Sequence, residues 1–360
     1  MTYEREAGAL DGEILDAINA WHERGAALSD DHFNDLALRI FAHQLRYNAP
    51  YARYCARLGI TLASMPGSWR QIPGVPTPAF KDAAITTFHH SDAALIFETS
   101  GTTAGKPGRH YMETPALYDA ALLACFDRLM LQDRATLRYF NLVPNPEERP
   151  TSSLGYMMRR VSEGRGDGHT GWYLAGDHLL TADLERDLRE SIAAAEPACI
   201  AATAFALVHL LDGLESTGRG FALPRGSRIM ETGGFKGRSR AIDRDELYAT
   251  LSDRFALPRE NIVAEYGMTE LTSQYYDDPM TRRKAGPPWL RARVVGSDRK
   301  DVPAGEAGAL LHVDLANRSS AVAVQTEDVG VQYADGFALL GRAPDAPPRG
   351  CSLDAEEIHA

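Results

Sequence analysis

Between residues 93 and 267 the sequence alternates short apolar, β-prone runs with longer helical ones, and this alternation constrains the fold more than any other feature. The strand candidates are ALIFET, LRYFNLV, ACIAAT, SRIMETG and NIVAEYG, and the helical runs include ALYDAALLACFDRLML, ADLERDLRESIAAA and RAIDRDELYATLSDRFAL. Because strand–helix–strand units form right-handed crossovers between parallel strands, the pattern predicts an α/β fold with largely parallel sheets flanked by helices.

The flanking sequence follows different patterns. Apolar residues recur at helical spacing between residues 11 and 59, and a proline-rich stretch follows at 65–82, which we interpret as a surface connector because proline has no amide proton. After Pro287 come strand candidates without helices, which predict a small antiparallel β subdomain. We therefore expect a helical region and connector at 1–90, an α/β core at 91–285, a β-rich subdomain at 286–345 and a short tail at 346–360.

Composition excludes several classes of protein. The chain has 38 Lys and Arg against 49 Asp and Glu, a formal charge of −11, whereas a nucleic-acid binder needs a basic surface to displace counterions. The four cysteines lie far apart, which argues against a disulfide framework or a zinc site. The acidic N-terminus lacks a signal-peptide pattern, and no apolar run is long enough to cross a bilayer. We expect a cytoplasmic protein that binds neither membrane nor nucleic acid.

The segment from Thr99 to Gly108 follows a strand candidate and combines hydroxyls, glycines and a lysine. Its amides, hydroxyls and ammonium group can surround a polyphosphate. It differs from a Walker A loop, because only three residues separate Gly101 from Gly105 and Pro107 follows Lys106. A simple hairpin turn of similar composition remains the alternative.

Two further segments offer groups suited to a nucleotide. In Glu265-Tyr-Gly-Met-Thr-Glu270, Tyr266 offers a ring face to adenine, Thr269 a hydroxyl to phosphate and Glu270 a carboxylate to Mg²⁺. Asp328 lies in a late strand candidate and Arg342 follows 14 residues later, so the pair can bind a ribose and steady it. Taken singly, the first segment also fits strand-to-loop packing and the second fits an ordinary β-turn.

In this order, with Gly233-Gly234 between the first two, the segments resemble the adenylate-forming superfamily of acyl-CoA synthetases, luciferases and peptide-synthetase adenylation domains. The resemblance implies that residues 91–285 form a nucleotide-binding core and that the cofactors are ATP and Mg²⁺. It implies that the phosphates are bound by a loop that contains Thr99, Ser100, Gly101, Thr102, Thr103, Gly105 and Lys106, and that adenine is framed by Gly233, Gly234 and Tyr266. It also implies that Thr269 and Glu270 bind phosphate and Mg²⁺, and that Asp328 and Arg342 bind the ribose.

Four stretches, 72–81, 232–237, 265–274 and 349–353, look like the acyl-protein synthetase branch that serves bacterial luminescence, and they are also similar to adenylating proteins of phenazine antibiotic pathways. The resemblance implies that a carboxylic acid is converted to an acyl-adenylate, held on Cys351, and passed to a partner acyl reductase that makes an aldehyde. Cys351 as an ordinary cysteine near the chain end is the alternative. For Cys55, Cys125 and Cys199 we expect core positions.

Most members of the superfamily continue past a Gly-Arg hinge into a mobile domain that carries a catalytic lysine. Here 18 residues follow Arg342 and no lysine follows Lys300, so we expect that C-terminal domain to be absent. A conventional acyl- or aryl-CoA ligase and a non-catalytic nucleotide- or carboxylate-binding relic remain as alternatives. Fatty and planar aromatic acids are both open as substrates, and the oligomeric state is open too.

Overall fold

The computed structural model describes residues 2–99, 106–132, 136–176, 178–217, 220–233 and 243–342. The helices are α1 (Tyr3–Arg24), α2 (Asp30–Tyr47), α3 (Ala49–Arg57), α4 (Ala79–Asp82), α5 (Ala116–Cys125), α6 (Ser153–Arg165), α7 (Thr181–Ala193), α8 (Ala204–Thr217) and α9 (Arg244–Phe255), with a π-helical turn at Phe126–Leu131. The strands are β1 (Val75–Pro76), β2 (Leu95–Glu98), β3 (Arg109–Met112), β4 (Leu137–Leu142), β5 (Gly166–Trp172), β6 (Leu174–Ala175), β7 (His178–Leu179), β8 (Ala198–Thr203), β9 (Arg228–Thr232), β10 (Ile262–Tyr266), β11 (Tyr275–Asp277), β12 (Lys284–Ala285), β13 (Leu290–Val295), β14 (Ala307–Asp314), β15 (Ala323–Tyr333) and β16 (Gly336–Arg342).

The chain forms two compact units. Unit 1 comprises Met1–Cys125, Met268–Tyr275 and Arg283–Ala360, and unit 2 comprises Phe126–Gly267 and Tyr276–Arg282. The four-part division expected from the sequence stays a prediction.

Unit 2 contains the parallel sheet that the alternating pattern predicts. Strands β5, β4, β8, β9 and β10 lie side by side in that order, and every neighbouring pair is parallel. Residues 198–202 of β8 are apolar and buried, as expected for a parallel sheet that helices cover on both faces. Apolar residues of β8 pack with those of α8 and α9 into one core. Asp243 caps α9, since its Oδ1 accepts from the N–H of Asp245 at 2.8 Å. The α/β class inferred from the sequence is confirmed.

Unit 1 begins with three helices that the apolar spacing correctly predicts. The buried stripe of α1 is Ala7, Leu10, Ile14 and Ile18, at intervals of three and four residues. Ser29 caps α2 by accepting from the N–H of His32 at 3.2 Å. Arg318 is 1% exposed, and its guanidinium anchors α1 through a bidentate salt bridge to Asp11, with N···O distances of 2.7 and 2.8 Å.

The C-terminal strands of unit 1 pair with one another in antiparallel fashion, as the strand-only pattern after Pro287 predicts. Strands β13, β14, β15 and β16 pair in sequence order, and β12 pairs with β16. The β15–β16 register shifts between Val329 and Gly330. Gly330 is required at this bulge, because a Cβ there would lie 2.8 Å from the carbonyl oxygen of Ala338.

Two sequence-based expectations are wrong. The proline-rich stretch is not a surface connector: residues 72–76 are buried, and β1 pairs in parallel with β15. Its carbonyl groups are satisfied by tyrosines, since Tyr51 donates to Pro73 at 2.6 Å and Tyr54 to Gly74 at 3.3 Å. Strand β2 is likewise no part of the parallel sheet, because it forms an antiparallel hairpin with β3.

Among the described residues, no helix combines the length and apolar character needed to cross a membrane.

Candidate functional site

The segment predicted to hold phosphates is the connection of the β2–β3 hairpin in unit 1. Thr99 closes its base twice: its N–H donates to the carbonyl of Gly108 at 2.9 Å, and its hydroxyl accepts from the N–H of Gly108 at 2.9 Å. Beside this closure, Arg109 Nε donates to Glu98 Oε1 at 2.9 Å. A side chain at position 108 would crowd the closure, since a Cβ there would lie 3.2 Å from Thr99 Cγ2.

Thr99 and Lys106 stand at the two described ends of this connection, and the side chain of Lys106 is exposed. The intervening predicted residues, Ser100, Gly101, Thr102, Thr103 and Gly105, lie outside the described residues. A hairpin connection that is closed at its base and rich in hydroxyl groups is compatible both with phosphate binding and with a plain turn. The phosphate role therefore stays a prediction.

Thr269 and Glu270, also in unit 1, are held by contacts to their main-chain carbonyls. His110 Nδ1 lies 2.7 Å from the carbonyl oxygen of Thr269, and Asn317 Nδ2 donates to the carbonyl of Glu270 at 2.9 Å. The hydroxyl of Thr269 reaches the carbonyl of Glu98 at 3.5 Å. Since Glu270 is only 6% exposed, its carboxylate has little freedom to move.

The residues that follow Glu270 are fixed by the buried carboxylate of Asp314. It accepts from the N–H groups of Thr272 at 3.0 Å and Ser273 at 2.8 Å, and from the Ser273 hydroxyl at 2.9 Å. Burial raises the pKa of Asp314 to about 6, although these hydrogen bonds act to lower it. Trp289 Nε1 donates to Ser273 Oγ at 2.9 Å. The backbone after the Thr-Glu pair is thus clamped within the core of unit 1.

The structure brings Asp328 and Arg342 together at one end of the β15–β16 ladder, where they are register partners. Arg342 Nε lies 3.6 Å from Asp328 Oδ1, and Arg342 Nη2 lies 3.7 Å from Glu327 Oε2. The Arg342 side chain is 69% exposed, whereas that of Asp328 is 21% exposed. An ion pair whose arginine is this exposed contributes little to stability.

Gly233 directly follows β9, and Tyr266 is the last residue of the neighbouring parallel strand β10, at the edge where ligands of α/β sheets bind. Gly233 has a φ of +72°, a conformation that favours glycine. Tyr266 is 8% exposed. Next to them, the hydroxyl of Thr232 donates to the buried carboxylate of Glu265. Gly234 lies outside the described residues.

Three of the four cysteines are core residues, as expected. Cys55, Cys125 and Cys199 are each 0% exposed. Burial raises the pKa of the Cys199 thiol to about 12 and that of Cys55 even more, so neither forms a thiolate readily near neutral pH. Cys351 lies outside the described residues.

Glu270 is compatible with Mg²⁺, which prefers oxygen ligands and is commonly held by one or two carboxylates together with substrate phosphates. Within the described ranges, the one cluster of three metal-capable side chains is Asp167, His169 and Glu196 of unit 2. These side chains are largely exposed, and Arg138 Nη1 lies 3.7 Å from Glu196, which makes them an unconvincing site. A single buried carboxylate fits a metal that arrives with its nucleotide.

Sequence reasoning missed His110, Asp314 and Asn317, which hold the Thr-Glu segment. The one signal for His110 is weak: it lies only two residues beyond Gly108. Asp314 is the last residue of β14, and Asn317 lies in the turn of ordinary composition that follows it. Their role becomes visible only once folding has placed them beside residues 269–273.

The family model described as "Acyl-protein synthetase, LuxE" matches residues 178–358, half of the chain. A relative, the long-chain-fatty-acid–luciferin-component ligase of Vibrio harveyi, is 24% identical over 311 residues, which cover 81% of this chain and 77% of the relative.

Solved structures show the same fold. An open conformation of 2-hydroxyisobutyryl-CoA ligase in complex with 2-HIB-AMP and CoA matches with a TM-score of 0.65 at 12% identity, covering 89% of this chain and 72% of that one. A long-chain-fatty-acid-CoA ligase from Archaeoglobus fulgidus matches with a TM-score of 0.51 at 16% identity, covering 70% and 52%. ATP-bound MatB from Rhodopseudomonas palustris gives a TM-score of 0.50 at 16% identity, covering 72% and 50%.

Proposed function

The chain belongs to the acyl-protein synthetase, LuxE family and is thus a ligase that activates a carboxylate, and from this premise we propose that it makes an acyl-adenylate from ATP, releasing pyrophosphate. One observation carries the proposal most directly. The Thr269–Glu270 pair is tied to the hairpin that bears Thr99 and Lys106, through the 2.7 Å contact between His110 Nδ1 and the carbonyl of Thr269. This arrangement supports a common phosphate site.

We assign the nucleotide-binding roles by group. Lys106 and the hydroxyls and amides of its loop bind the phosphates, Thr269 adds a hydroxyl, and Asp328 with Arg342 binds the ribose. In unit 2, Gly233, Gly234 and Tyr266 frame the adenine. The register pairing of Asp328 with Arg342 supports the ribose assignment, because a carboxylate can accept both ribose hydroxyls while the guanidinium steadies it.

Glu270 is the residue that would hold Mg²⁺. When bound with the substrate phosphates, the metal would supply charge neutralisation at the reacting phosphate. The chain's own contribution is to fix that carboxylate, because Asn317 holds the carbonyl of Glu270 and Asp314 holds the backbone N–H of Thr272, two residues later.

In the reaction, a carboxylate oxygen of the acid attacks the α-phosphorus of ATP in line with the leaving pyrophosphate. The new bond joins that oxygen to phosphorus, the bond from phosphorus to the bridging oxygen breaks, and its electron pair leaves with pyrophosphate. Such a step needs orientation and electrostatic stabilisation rather than a covalent protein intermediate. Lys106 and the hydroxyls around it meet both needs.

The activated acyl group is then transferred to Cys351, or directly to a partner acyl reductase, so that an aldehyde results. The relative from Vibrio harveyi, named as a long-chain-fatty-acid ligase, supports a fatty acid as substrate, and an aromatic acid of a phenazine-type antibiotic pathway is the competing possibility. Because the adenylation step is reversible, the identity of the acid can be determined from that step alone.

The test is ATP–pyrophosphate exchange across a panel of long-chain fatty acids and planar aromatic acids, with and without Mg²⁺. We expect Mg²⁺-dependent exchange with one class of acid. Exchange with no acid would overturn the proposal if ATP binding measured by calorimetry is absent too. ATP binding without exchange would identify a non-catalytic binding protein, and acyl-CoA formation by the chain alone would identify a CoA ligase.

A further inference from the structure

We infer that His110 is a positioning residue, which joins the hairpin carrying Thr99 and Lys106 to the Thr269–Glu270 pair so that both present their groups to the same phosphates. The inference rests on the proposed function. His110 touches neither the nucleotide nor the acid in this assignment, and it acts through the main chain of Thr269.

His110 is buried near the base of the loop. It lies in β3, directly opposite Phe97 of β2, two residues beyond the Gly108 that closes the loop base. It is 1% exposed, and the ring of Phe80 packs near it with centroids 6.2 Å apart at an interplanar angle of 69°. Packing on this scale leaves the imidazole one orientation.

His110 forms a hydrogen bond to the main chain of Thr269. A carbonyl oxygen only accepts, so the 2.7 Å contact requires that Nδ1 of His110 carries the proton and donates to Thr269. The hydroxyl of Thr269 adds a longer contact to the carbonyl of Glu98 on the neighbouring strand. Thr269 is therefore attached to both strands of the hairpin, and the stronger attachment depends on one nitrogen of one ring.

The hydrogen bond from His110 bears on the rate of adenylation. Adenylation depends on holding phosphates in line with the attacking carboxylate, and a displacement of about 1 Å can cost about 100-fold in rate. Without the His110 bond, residues 269 and 270 would be free to shift relative to the loop that begins at Thr99. Loss of the bond is thus expected to lower kcat, in addition to any loss of stability.

The experiment compares His110→Asn with His110→Gln. The asparagine amide nitrogen occupies about the place of Nδ1, whereas the glutamine amide reaches the place of Nε2, so the two polar variants differ in whether the bond to Thr269 can form. We expect the kcat of pyrophosphate exchange to stay within about 3-fold of wild type for Asn and to fall about 10-fold or more for Gln. His43→Leu, which removes another fully buried histidine of unit 1, is the control and should keep wild-type kcat.

A second measurement is independent of catalysis. Hydrogen exchange of the amides of residues 269–273 should stay as slow in His110→Asn as in wild type and become faster in His110→Gln. Equal kcat in both variants, or equal protection in both, overturns the inference. If wild type shows no pyrophosphate exchange with any acid while the two variants still differ in amide protection, the proposed function fails. In that case the coupling of the hairpin to Thr269 by His110 still stands.

Discussion

Asp328 is the single side chain through which the ribose assignment can be tested most directly. Asp328→Asn keeps the shape of the side chain and removes its charge, so it weakens the hydrogen bonds accepted from the ribose. A hydrogen bond to a charged group contributes about 1.5–3 kcal/mol, and we expect the KM for ATP to rise by about 10-fold or more. The measurement is pyrophosphate exchange at varied ATP with the preferred acid.

Deoxynucleotides supply the matching control for Asp328. If the carboxylate binds the ribose hydroxyls, 2′-deoxy- or 3′-deoxy-ATP should be poorer for wild type, while Asp328→Asn should discriminate little between them and ATP. Asp335→Asn is the protein control, because Asp335 pairs with Arg283 at 2.5 Å at the opposite end of the same hairpin. Equal discrimination by Asp328→Asn and wild type would contradict the ribose role.

At the scale of residues, short-range chemistry could be predicted from the sequence and long-range support could not. Asp328 and Arg342 lie 14 residues apart, and hairpin pairing makes them neighbours. In contrast, Asn317 is 47 residues from Glu270, and His110 is 159 residues from Thr269. Contacts over such distances are created by the tertiary fold, so no local spacing reports them.

The β2–β3 hairpin is the element whose closure depends on one hydroxyl. Thr99→Val keeps the branched shape but removes the acceptor for the Gly108 N–H, whereas Thr99→Ser keeps that acceptor and loses only a methyl group. We expect Thr99→Val to lower the free energy of unfolding by about 1 kcal/mol and to raise the KM for ATP, and Thr99→Ser to do neither. Urea unfolding and pyrophosphate exchange measure the two effects.

The reverse order, with the serine variant impaired and the valine variant normal, would assign the effect to packing of Thr99 Cγ2 against position 108 and contradict the role of the hydroxyl.

Elements were predicted well where the apolar period was regular and poorly where pairing partners lay far along the chain. Strand β8 is buried from residue 198 to residue 202, as a central parallel strand should be, and the apolar run ACIAA at these positions indicates it. In β2 only Phe97 is buried, a pattern closer to that of a hairpin strand than to that of a sheet core. Strand β1 is not predicted because Pro76 has no amide proton and indicates a loop, and because its partner in β15 lies about 250 residues later.

For the whole molecule, buried histidines link stability to pH. Burial, with the nearby Arg318 charge, lowers the pKa of His43 from 6.5 to about 4, so the folded chain excludes a proton that the unfolded chain binds between these values. Stability is therefore full above pH 6.5 and falls as the pH drops toward 4. His110 and His312 act in the same direction, since burial lowers their pKa values to about 4 and about 3.

We predict that His43→Phe, which keeps the ring contacts with Tyr3 and Tyr47, makes stability less dependent on pH. The slope of the unfolding free energy against pH should fall by about 1.4 kcal/mol per pH unit between pH 4 and 6.5, the value for one proton. Urea unfolding followed by tryptophan fluorescence at pH 4.5, 5.5 and 7 measures the slope. An unchanged slope would show that His43 does not titrate as its burial requires.

The fate of the acyl group concerns the whole chain, because the four cysteines are spread along its length. Cys55, Cys125 and Cys199 are enclosed in the cores of their units, and burial raises the pKa of the Cys55 and Cys199 thiols, which makes these two poor nucleophiles. With the radiolabelled preferred acid, ATP and Mg²⁺, we expect a stable labelled protein whose label is released by neutral hydroxylamine, as for a thioester. Cys351→Ala should abolish the label and leave pyrophosphate exchange within about 2-fold, because adenylation precedes the transfer.

Cys125→Ala, which removes a buried thiol at the end of α5, should keep both the label and the exchange. A label that survives in Cys351→Ala would place the acyl acceptor elsewhere in the chain. Pyrophosphate exchange without a labelled protein in wild type would mean that the acyl-adenylate passes directly to the reductase. Adding that partner with NADPH should then yield aldehyde equally from wild type and from Cys351→Ala. If Cys351 carries the acyl group, only wild type should make aldehyde at the full rate, so the two routes are separated by one comparison.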